Sequence, residues 1–414
     1  MNCKKVLFLE KTVILLLALC PILQHYKGLF VNAAVTTLVL VAPYTITRIV
    51  AKQTIVLDDV AFVFPLILYY FYRVFDHGTN IVEIGQAILI SMFVISISSS
   101  CFDSKFFIRI ITIISVLASI CIILQYICYY IFHFHLQLVP TSLLSQKSNQ
   151  WVLIAETGRA SVTGRISRFY RPSAFFLEPS HMFIYMFTPL IFNLFSAKHS
   201  SKYIALLISV GMVLSTSGMG IIATIGIWIV YWGRVDNKVE RVSVLQLLKY
   251  KRLFSLLFLL LVFVLMYLQI PFFRSSLQRI TGSGNNYTNA ITGRIKSGNS
   301  LIRQMKGIGL IFGVSDNLKG IEFNMSGFNS TMYRYGIIGI VFSYLFYIKG
   351  LLIFRGKHFW VSVVVIILSF FSSHTHSTMF VIYMTFVFVN GYQEHLYRKL
   401  TMTNMITDKL AIID

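Results

Sequence analysis

The sequence predicts an all-α polytopic membrane protein with about twelve transmembrane helices and two long external loops. The first observation is its composition: 56% of the 414 residues are hydrophobic, only 12% are charged, and the mean hydropathy is +0.74. These values exclude a soluble globular domain. The second is that apolar runs of about 20 residues, long enough to cross a bilayer, recur along the chain.

Each apolar run is a predicted membrane helix. The runs are centred near residues 17, 38, 64, 90, 120, 189, 209, 226, 262, 342, 366 and 384. The first, MNCKKVLFLEKTVILLLALC, has a basic head but no small-residue cleavage site after it, which favours a membrane helix over a signal peptide. The cysteines lie in or beside apolar runs without CxxC spacing, which predicts buried thiols: Cys3, Cys20, Cys101, Cys121 and Cys128.

The third observation is the distribution of Lys and Arg over the short connections, which places alternate connections and both termini in the cytoplasm. The predicted organisation is helices 1–5 in residues 1–132, a first external loop at 133–180, helices 6–9 in 181–271, a second external loop at 272–331, helices 10–12 in 332–392 and a cytoplasmic tail at 393–414. Since the other connections are short, we expect the function to lie in the two external loops.

Both external loops are strongly basic. The first carries Lys147, Arg159, Arg165, Arg168 and Arg171 against Glu156 and Glu178. The second carries Arg274, Arg279, Arg294, Lys296, Arg303, Lys306 and Lys319 against Asp316 and Glu322. Because arginine binds phosphate oxygens in pairs, this pattern predicts a polyanion-binding surface, with plainly solvated loops as the alternative. The net charge of +21 is spread over many loops, so no nucleic-acid partner is expected.

Two polar turns, STSGMG at 215–220 and SSHTHS at 372–377, each join a pair of short apolar segments. Polar backbone below the membrane surface is tolerated where protein or a water-filled cavity surrounds it. The turns therefore predict a recessed cavity lined by Ser215, Ser217, His374 and His376, with ordinary tight turns as the alternative. The two histidines are two residues apart without an acidic or cysteine partner nearby, so no metal site is expected.

The segment RPSAFFLEPSH, residues 171–181, brings Arg171, Glu178 and His181 to the border of a membrane helix. Arg165, Arg168 and Arg171 are spaced by three, so a helical turn would align them on one side. Glu178 precedes Pro179 at an expected helix start, where the helix dipole stabilises a carboxylate. A helix cap, a salt bridge and a catalytic role all remain open for Glu178.

The second loop places Arg279, Arg294 and Arg303 among glycines, in RITGSGNNYTNAITGRIKSGNSLIRQMKGIGLIFG. Glycine permits close approach of the backbone to a ligand. The loop lacks the GK[ST] sequence of a nucleotide-binding P-loop, so ATP is not the expected ligand.

Four motifs together resemble the Wzy-type polymerases of O-antigen and capsular polysaccharide repeat units, within the O-antigen ligase/polymerase superfamily. They are RPSAFFLEPSH before a membrane helix, STSG two helices later, TGR in the second loop and FNSTMYRYGIIG opening the next span. The resemblance covers about residues 160–345. It implies a GT-C-like bundle in the bacterial cytoplasmic (inner) membrane, with an outward-facing, metal-independent, inverting glycosyltransferase site and no cofactor. The implied substrate is an undecaprenyl-diphosphate-linked oligosaccharide, with a chain-length regulator and a flippase as partners.

The resemblance also implies roles for residues. The family's loop arginines match Arg171 and Arg294, which would stabilise the diphosphate leaving group. Glu178 is the first candidate and His181 the second for a base that activates the attacking hydroxyl. Substrate binding is expected of Arg165, Arg168, Arg279, Arg303, Ser217, Asn329 and His374. The family usually has Gly where Ala174 stands, and its ligases typically carry a His where Phe328 stands, which favours a polymerase.

Three alternative functions are compatible with parts of the sequence. The first is a ligase of the same superfamily that passes the finished glycan to a terminal acceptor. The second is a flippase for the same lipid-linked sugars, which would be expected to carry ionisable groups in mid-span. The predicted membrane segments are nearly free of charge apart from Glu83, which disfavours transport. The third is a scaffold for polysaccharide assembly, against which the sequence offers no argument.

Overall fold

The computed structural model describes residues 3–29, 32–52, 57–76, 81–145, 149–159, 161–162, 165–166, 170–196, 199–233, 298–314, 325–372, 375 and 377–410. The α-helices are α1 Cys3–Leu23, α2 Ala33–Lys52, α3 Leu57–Asp76, α4 Ile81–Ser98, α5 Ser104–Tyr130, α6 Asn149–Thr157, α7 Pro179–Leu194, α8 His199–Leu214, α9 Gly218–Gly233, α10 Ile308–Phe312, α11 Gly327–Ile353, α12 Lys357–Phe371 and α13 Thr378–Leu410. A 3-10 helix spans Thr141–Leu143, residues 298–304 are helical, and two short strands, β1 Ser161–Val162 and β2 Arg165–Ile166, pair antiparallel.

These helices agree with the predicted all-α architecture of a membrane protein. Every predicted apolar segment coincides with a helix except the one near residue 262, which lies outside the described residues. Among the described residues, four helices, α2, α4, α5 and α11, are long and apolar enough to cross a membrane, and shorter apolar stretches lie in α3, α8, α9 and α12. The total of twelve spans stays a prediction. The four cysteines with described side chains are free thiols: Cys20 and Cys101 are buried, as expected, whereas Cys121 and Cys128 are only half-buried.

Helix α7 is the central helix of the bundle. Its side chains are buried nearly all round, as expected of a helix that is apolar on every face and has neighbours on all sides. It packs against α5, α8, α9 and α12. The Tyr185 hydroxyl donates to the Ala18 carbonyl of α1 at 3.0 Å, and the Tyr383 hydroxyl of α13 donates to the Tyr185 carbonyl at 2.8 Å. These hydrogen bonds satisfy phenol groups that burial removes from water.

The ends of the helices lie at two opposite ends of the bundle, which we call the far end and the loop end. At the far end, which holds residues 99–104 and 355–357, Arg48 of α2 forms an ion pair of 3.1 Å with Glu10 of α1. There the Asp103 carboxylate caps α5 by accepting from the backbone N–H groups of Lys105 and Phe106. The loop end holds the connection after α1, the described residues of the stretch 131–178, the turn at 215–217 and the start of α11.

The first predicted external loop is folded against the loop end. The Lys27 N–H donates to the Leu143 carbonyl at 2.7 Å, and Tyr26 forms a β-bridge with Leu144. The expected helical turn through Arg165, Arg168 and Arg171 is wrong at Arg165, which lies in β2 opposite Val162. The two residues between the strands, Thr163 and Gly164, have the length and glycine content that favour a hairpin. Arg168 lies outside the described residues.

Helix α11 bends sharply at Gly336, whose φ of 61° and ψ of −161° are not helical. The ring centroids of Phe328 and Tyr344 lie 6.3 Å apart. In an unbroken helix these positions would be separated by about 24 Å along the axis, at about 1.5 Å per residue. Residues 327–335 therefore fold back beside residues 337–353. The predicted boundary between the second loop and helix 10, at residue 332, falls within this folded-back segment.

Candidate functional site

Residues 171–178 form a compact turn held by α5. The Phe176 N–H donates to the Ser173 carbonyl at 2.9 Å, and the Ser173 hydroxyl donates to the Phe176 carbonyl at 2.7 Å. Ala174 between them has a positive φ of 52°, and its N–H donates to Oε1 of the buried Gln125 at 3.0 Å. Glycine adopts this left-handed backbone without a Cβ clash. The geometry thus gives a physical reason why glycine would suit the position of Ala174.

The Glu178 carboxylate is held by hydrogen bonds to both of its oxygens. Its Oε1 accepts from the indole Nε1 of Trp151 at 2.6 Å, and its Oε2 accepts from the Ser180 hydroxyl at 3.0 Å. Glu178 occupies the N-cap position of α7, but its side chain makes no capping hydrogen bond. The cap alternative for its side chain is therefore wrong, and the half-buried carboxylate is instead fixed in one orientation beside the first turn of α7.

His181, one turn into α7, is buried and stacks on a second imidazole. The rings of His25 and His181 are nearly parallel, at an interplanar angle of 3° and a centroid separation of 4.5 Å. His25 also meets the edge of Trp151, with centroids 6.2 Å apart. The His25 carbonyl accepts from the N–H and hydroxyl of Ser145, which fixes the backbone that carries it.

We call His25, Trp151, Glu178 and His181 the His–Trp–Glu cluster. Its members come from three separate segments: the connection after α1, helix α6 and the start of α7. Sequence reasoning identified Glu178 and His181 but missed His25 and Trp151. An indole within a polar external loop was the one available signal for Trp151. His25 had no sequence signal that linked it to the other members of the cluster, the nearest of which lies 126 positions later in the chain.

Arg171 lies beside a second arginine. Its N–H donates to the Gly158 carbonyl at 2.6 Å, so its backbone lies next to Gly158 and Arg159 at the end of α6. Arg159 donates from Nε to the Tyr129 hydroxyl at 3.1 Å and lies 5.5 Å from the centre of that ring. Gly158 has a positive φ of 63°, and a Cβ at this position would overlap the Tyr170 ring. The sequence indicates Arg159 only as part of the positive charge of the first external loop.

Tyr170 and His135 fix the position of Arg171. The Tyr170 ring is buried and stacks on Tyr129 with centroids 4.0 Å apart. His135 Nε2 lies 3.0 Å from the Ala155 carbonyl, which only accepts, so Nε2 carries the proton and Nδ1 accepts from the Tyr170 hydroxyl at 2.8 Å. Burial lowers the pKa of His135 and raises the pKa of Tyr170, which keeps both groups neutral.

The STSG turn packs against protein. The Ser215 hydroxyl donates to the Met212 carbonyl at 2.7 Å, and the Ser217 hydroxyl accepts from the Gly220 N–H at 3.3 Å, as a helix cap does. Both serines are buried, so the geometry favours the tight-turn alternative over an open cavity wall. A Cβ at Gly220 would lie 3.4 Å from Phe183 of α7, which places the turn beside the first turns of α7. A substrate role for Ser217 stays a prediction.

The second external loop is described only in part. Asn329 is buried, and its Nδ2 donates to Asn299 Oδ1 at 3.2 Å. Asn299 lies in the helical residues 298–304, which also carry the exposed Arg303. Asn329 is thus joined to the segment that presents Arg303. The predicted site residues that lie outside the described residues are Arg168, Arg279, Arg294, His374 and His376, together with the side chain of Arg165.

Phe328 belongs to an aromatic cluster at the folded-back segment of α11. It stacks on Phe370 with ring centroids 5.4 Å apart and meets Tyr344 edge-on. Phe328 is therefore an apolar ring packed between α11 and α12.

The arrangement at the loop end offers two kinds of chemistry. Arg159 and Arg171 supply guanidinium donors suited to phosphate oxygens. The fixed Glu178 carboxylate supplies an acceptor suited to a hydroxyl proton. Within the described ranges, no group of three or more His, Cys, Asp or Glu side chains is arranged to hold a metal ion. The absence of a metal requirement remains a prediction.

No protein-family model matches the chain, and no curated protein matches it significantly. The function is therefore inferred from the motifs of the chain and from the geometry of its residues.

Proposed function

We propose that this chain is a membrane glycosyltransferase that polymerises undecaprenyl-diphosphate-linked oligosaccharide repeat units into O-antigen or capsular polysaccharide. The donor is the growing glycan on its lipid diphosphate, and the acceptor is the non-reducing end of one incoming lipid-linked repeat unit. The observation that carries the proposal is that Arg171, held beside Arg159, and the His–Trp–Glu cluster lie at the same end of an apolar bundle.

The arginines act on the leaving group. As the glycosidic C1–O bond to the diphosphate breaks, negative charge grows on the phosphate oxygens. Guanidinium groups already in position stabilise that charge without reorganising. Arg171 takes this role in the first loop, supported by Arg159 beside it, and Arg294 takes it in the second loop. Loss of one such donor reduces rates by about 10²–10³-fold in comparable sites.

Glu178 acts on the acceptor. The acceptor hydroxyl oxygen attacks C1 from the face opposite the diphosphate, so the configuration at C1 inverts. Its proton passes to the Glu178 carboxylate, and the lipid diphosphate leaves as the anion. Trp151 and Ser180 hold the carboxylate in one orientation, which is what a positioned base requires. His181, stacked on His25, is the second candidate for this proton.

The site is proposed to face outward from the bacterial cytoplasmic membrane. The basic loops would meet the diphosphate in water, while the isoprenoid tail lies in the bilayer beside the apolar helices. Asn329 and Arg303, joined through Asn299, supply a second wall for the glycan. The aromatic environment of Phe328 favours a polymerase over a ligase, since the family's ligases typically have a His there. A chain-length regulator and a flippase complete the proposed assembly.

A glycan ladder tests the proposal. The purified chain in detergent is incubated with its native repeat unit on undecaprenyl diphosphate, in EDTA, and the products are resolved by length. We expect a ladder from the unmodified chain and from Arg109→Ala, an exposed arginine on α5 near the far end. We expect the ladder to be lost in Arg171→Ala and in Arg294→Ala.

Other results would contradict the proposal in distinct ways. Transfer of one finished glycan to a terminal acceptor, without a ladder, would indicate a ligase. Movement of the lipid-linked sugar across liposomes, without any new glycosidic bond, would indicate a flippase. Equal loss of the ladder in Arg109→Ala and Arg171→Ala would remove the assigned role of Arg171.

A further inference from the structure

Helix α10 exposes apolar side chains within the second predicted external loop. Four of its residues are 36–76% exposed: Ile308, Leu310, Ile311 and Phe312. The remaining residue, Gly309, adds no polar side chain. The helix is about 7.5 Å long at about 1.5 Å per residue, which is far too short to cross a bilayer. A contiguous exposed apolar patch on a segment that does not span the membrane indicates a surface that something apolar covers.

Helix α10 lies at the loop end, beside the start of the long straight part of α11. A Cβ at Gly336 would overlap the Ile311 carbonyl oxygen, so the two backbones touch. The Tyr72 hydroxyl, one turn before the end of α3, donates to the Phe312 carbonyl at 2.6 Å. Helix α10 is therefore held at the level where α3 ends and where residues 337–353 of α11 begin.

The straight part of α11 has one exposed apolar side. Its exposed apolar residues recur every three or four positions, which places them on the same side of the helix. They are Ile337, Val341, Leu345, Ile348 and Leu352. Because α11 is long and apolar enough to cross a membrane, this stripe is the side that faces the acyl chains. Ile337 follows Gly336 directly, so α10 lies next to the loop-end limit of the lipid-facing stripe.

The backbone around α10 is hydrogen-bonded within the protein. The Gly313 N–H donates to the Gly309 carbonyl at 2.8 Å, and the Val314 N–H donates to the Tyr333 carbonyl at 2.8 Å. Backbone that does not span the membrane needs such internal partners at membrane depth, because the acyl region contains no water. The end of α10 therefore meets a condition for contact with lipid.

Two exposed cations, Arg303 and Lys306, precede α10 in the chain. Long basic side chains at the edge of an apolar segment cover apolar surface with their stems and reach the phosphate headgroups with their charged ends. Cations beside an exposed apolar helix are typical of a segment that lies in the interfacial plane of a bilayer. This charge favours a lipid surface over an apolar protein surface as the occupant.

We propose that α10 is an interfacial membrane anchor. Its four exposed apolar side chains contact the acyl chains of the leaflet at the loop end, and Arg303 and Lys306 contact the phosphate headgroups of that leaflet. The second predicted external loop is then not wholly in water, and residues 298–304 are held at headgroup depth. The anchor is independent of the proposed glycosyl transfer, so either proposal can fail without the other.

The accessibility of spin labels in vesicles tests the anchor. The chain, with its five cysteines replaced by alanine, is reconstituted into vesicles of phosphatidylglycerol and phosphatidylcholine with one labelled cysteine at Ile308, Val341 or Glu156. Oxygen concentrates among acyl chains, whereas a nickel chelate stays in water. We expect the ratio of oxygen to nickel collision rates at Ile308→Cys to approach that at Val341→Cys, on the lipid-facing stripe. It should exceed several-fold the ratio at Glu156→Cys, an exposed acid of α6 at the loop end.

Two outcomes of this experiment would overturn the anchor. A ratio at Ile308→Cys equal to that at Glu156→Cys would place α10 in water. Low collision rates with both reagents at Ile308→Cys would show that protein, such as a second copy of the chain, covers α10 in place of lipid.

Photo-crosslinking of the unmodified chain holds even if a cysteine variant folds poorly. A phospholipid that carries a diazirine on its acyl chain should label the tryptic peptide that follows Lys306 and contains α10. It should spare the peptide that follows Lys147 and contains α6, the matched control at the same end of the bundle. Equal labelling of both peptides, or no labelling of the first, would overturn the anchor.

Discussion

At the scale of single residues, the candidate site depends on side chains that hold other side chains. Glu178 accepts from Trp151 and Ser180, and His181 stacks on His25. A catalytic group fixed in this way loses little entropy when it meets its substrate. The partners are therefore positioning residues, and their removal should weaken catalysis while leaving the fold intact.

Trp151→Phe tests this positioning. The substitution keeps an aromatic ring beside His25 but removes the donor to Glu178. A hydrogen bond to a charged group contributes about 1.5–3 kcal/mol, so we expect the elongation rate to fall about 10- to 100-fold. Trp228→Phe is the matched control, since the Trp228 Nε1 donates to Ser209 Oγ at 2.8 Å away from the site. Similar rates for the two variants in a timed ladder assay would contradict a positioning role for Trp151.

Ala174→Gly tests the strain in the turn before α7. Ala174 has a positive φ of 52°, which costs an L-residue about 1–2 kcal/mol relative to the right-handed region. Glycine avoids that cost. However, its greater conformational freedom in the unfolded chain destabilises the folded state by about 0.5–1 kcal/mol. We expect thermal unfolding to show a net stabilisation of up to about 1 kcal/mol.

The matched control for Ala174→Gly is Ala205→Gly, a buried alanine within α8. Glycine inside a helix costs about 1 kcal/mol relative to alanine, so this variant should unfold at a lower temperature. If both variants were destabilised equally, the left-handed geometry at Ala174 would not be a source of strain.

At the scale of elements, the site is assembled by short segments between the long helices. Helix α6 provides both Trp151 and, just after its end, the Gly158 carbonyl that accepts from Arg171. The folded-back residues 327–335 carry Asn329 to the segment that presents Arg303. A bilayer-spanning helix alone would bring neither group to its partners.

Gly336→Ala tests the bend in α11. Gly336 has a φ of 61°, and a Cβ there would overlap the Ile311 carbonyl. Left-handed strain and overlap together should cost about 1–3 kcal/mol, so we expect lower thermal stability and a shorter glycan ladder. Gly226→Ala in α9, where a Cβ meets nothing within 4 Å, is the control: it should leave the ladder unchanged and should not lower thermal stability, because alanine favours a helix over glycine. A ladder of normal length from Gly336→Ala would separate the bend from function.

At the scale of the whole molecule, two ends of the bundle have different chemistry. The loop end carries the His–Trp–Glu cluster with Arg159 and Arg171, and the far end carries the Arg48–Glu10 and Lys357–Glu394 ion pairs. The apolar helices between them fix the separation. The proposed function requires the loop end to face outward and the far end to face the cytoplasm.

Cysteine labelling tests this orientation. The five native cysteines are replaced by alanine, and single cysteines are introduced at Leu143, 54% exposed at the loop end, or at Lys105, exposed at the far end. A membrane-impermeant thiol reagent should label Leu143→Cys on intact cells and Lys105→Cys only after permeabilisation. The reverse pattern would invert the topology and place the proposed site on the cytoplasmic side, where it would contradict an outward-facing polymerase.

The helical membrane architecture, and the position of the segment RPSAFFLEPSH at the start of α7, could be predicted from the sequence alone. A helix that crosses a bilayer satisfies its own backbone hydrogen bonds, so a long apolar run is enough to predict it. The free thiols and the start of α7 at Pro179 follow from similarly local rules. The sequence was wrong about Arg165, where a two-residue glycine-containing connection produced a hairpin instead of a helical turn.

The contacts between side chains far apart in the sequence could not be predicted and are known only from the tertiary structure. His25 reaches His181, and Gln125 reaches Ala174, because the ends of α1, α5 and α7 lie together at the loop end. The bend at Gly336 brings Phe328 next to Tyr344, two residues that an unbroken helix would keep far apart. The physical reason is that hydropathy sets where a helix lies in the chain, whereas helix packing, which depends on residues far apart in sequence, sets the neighbours of its ends.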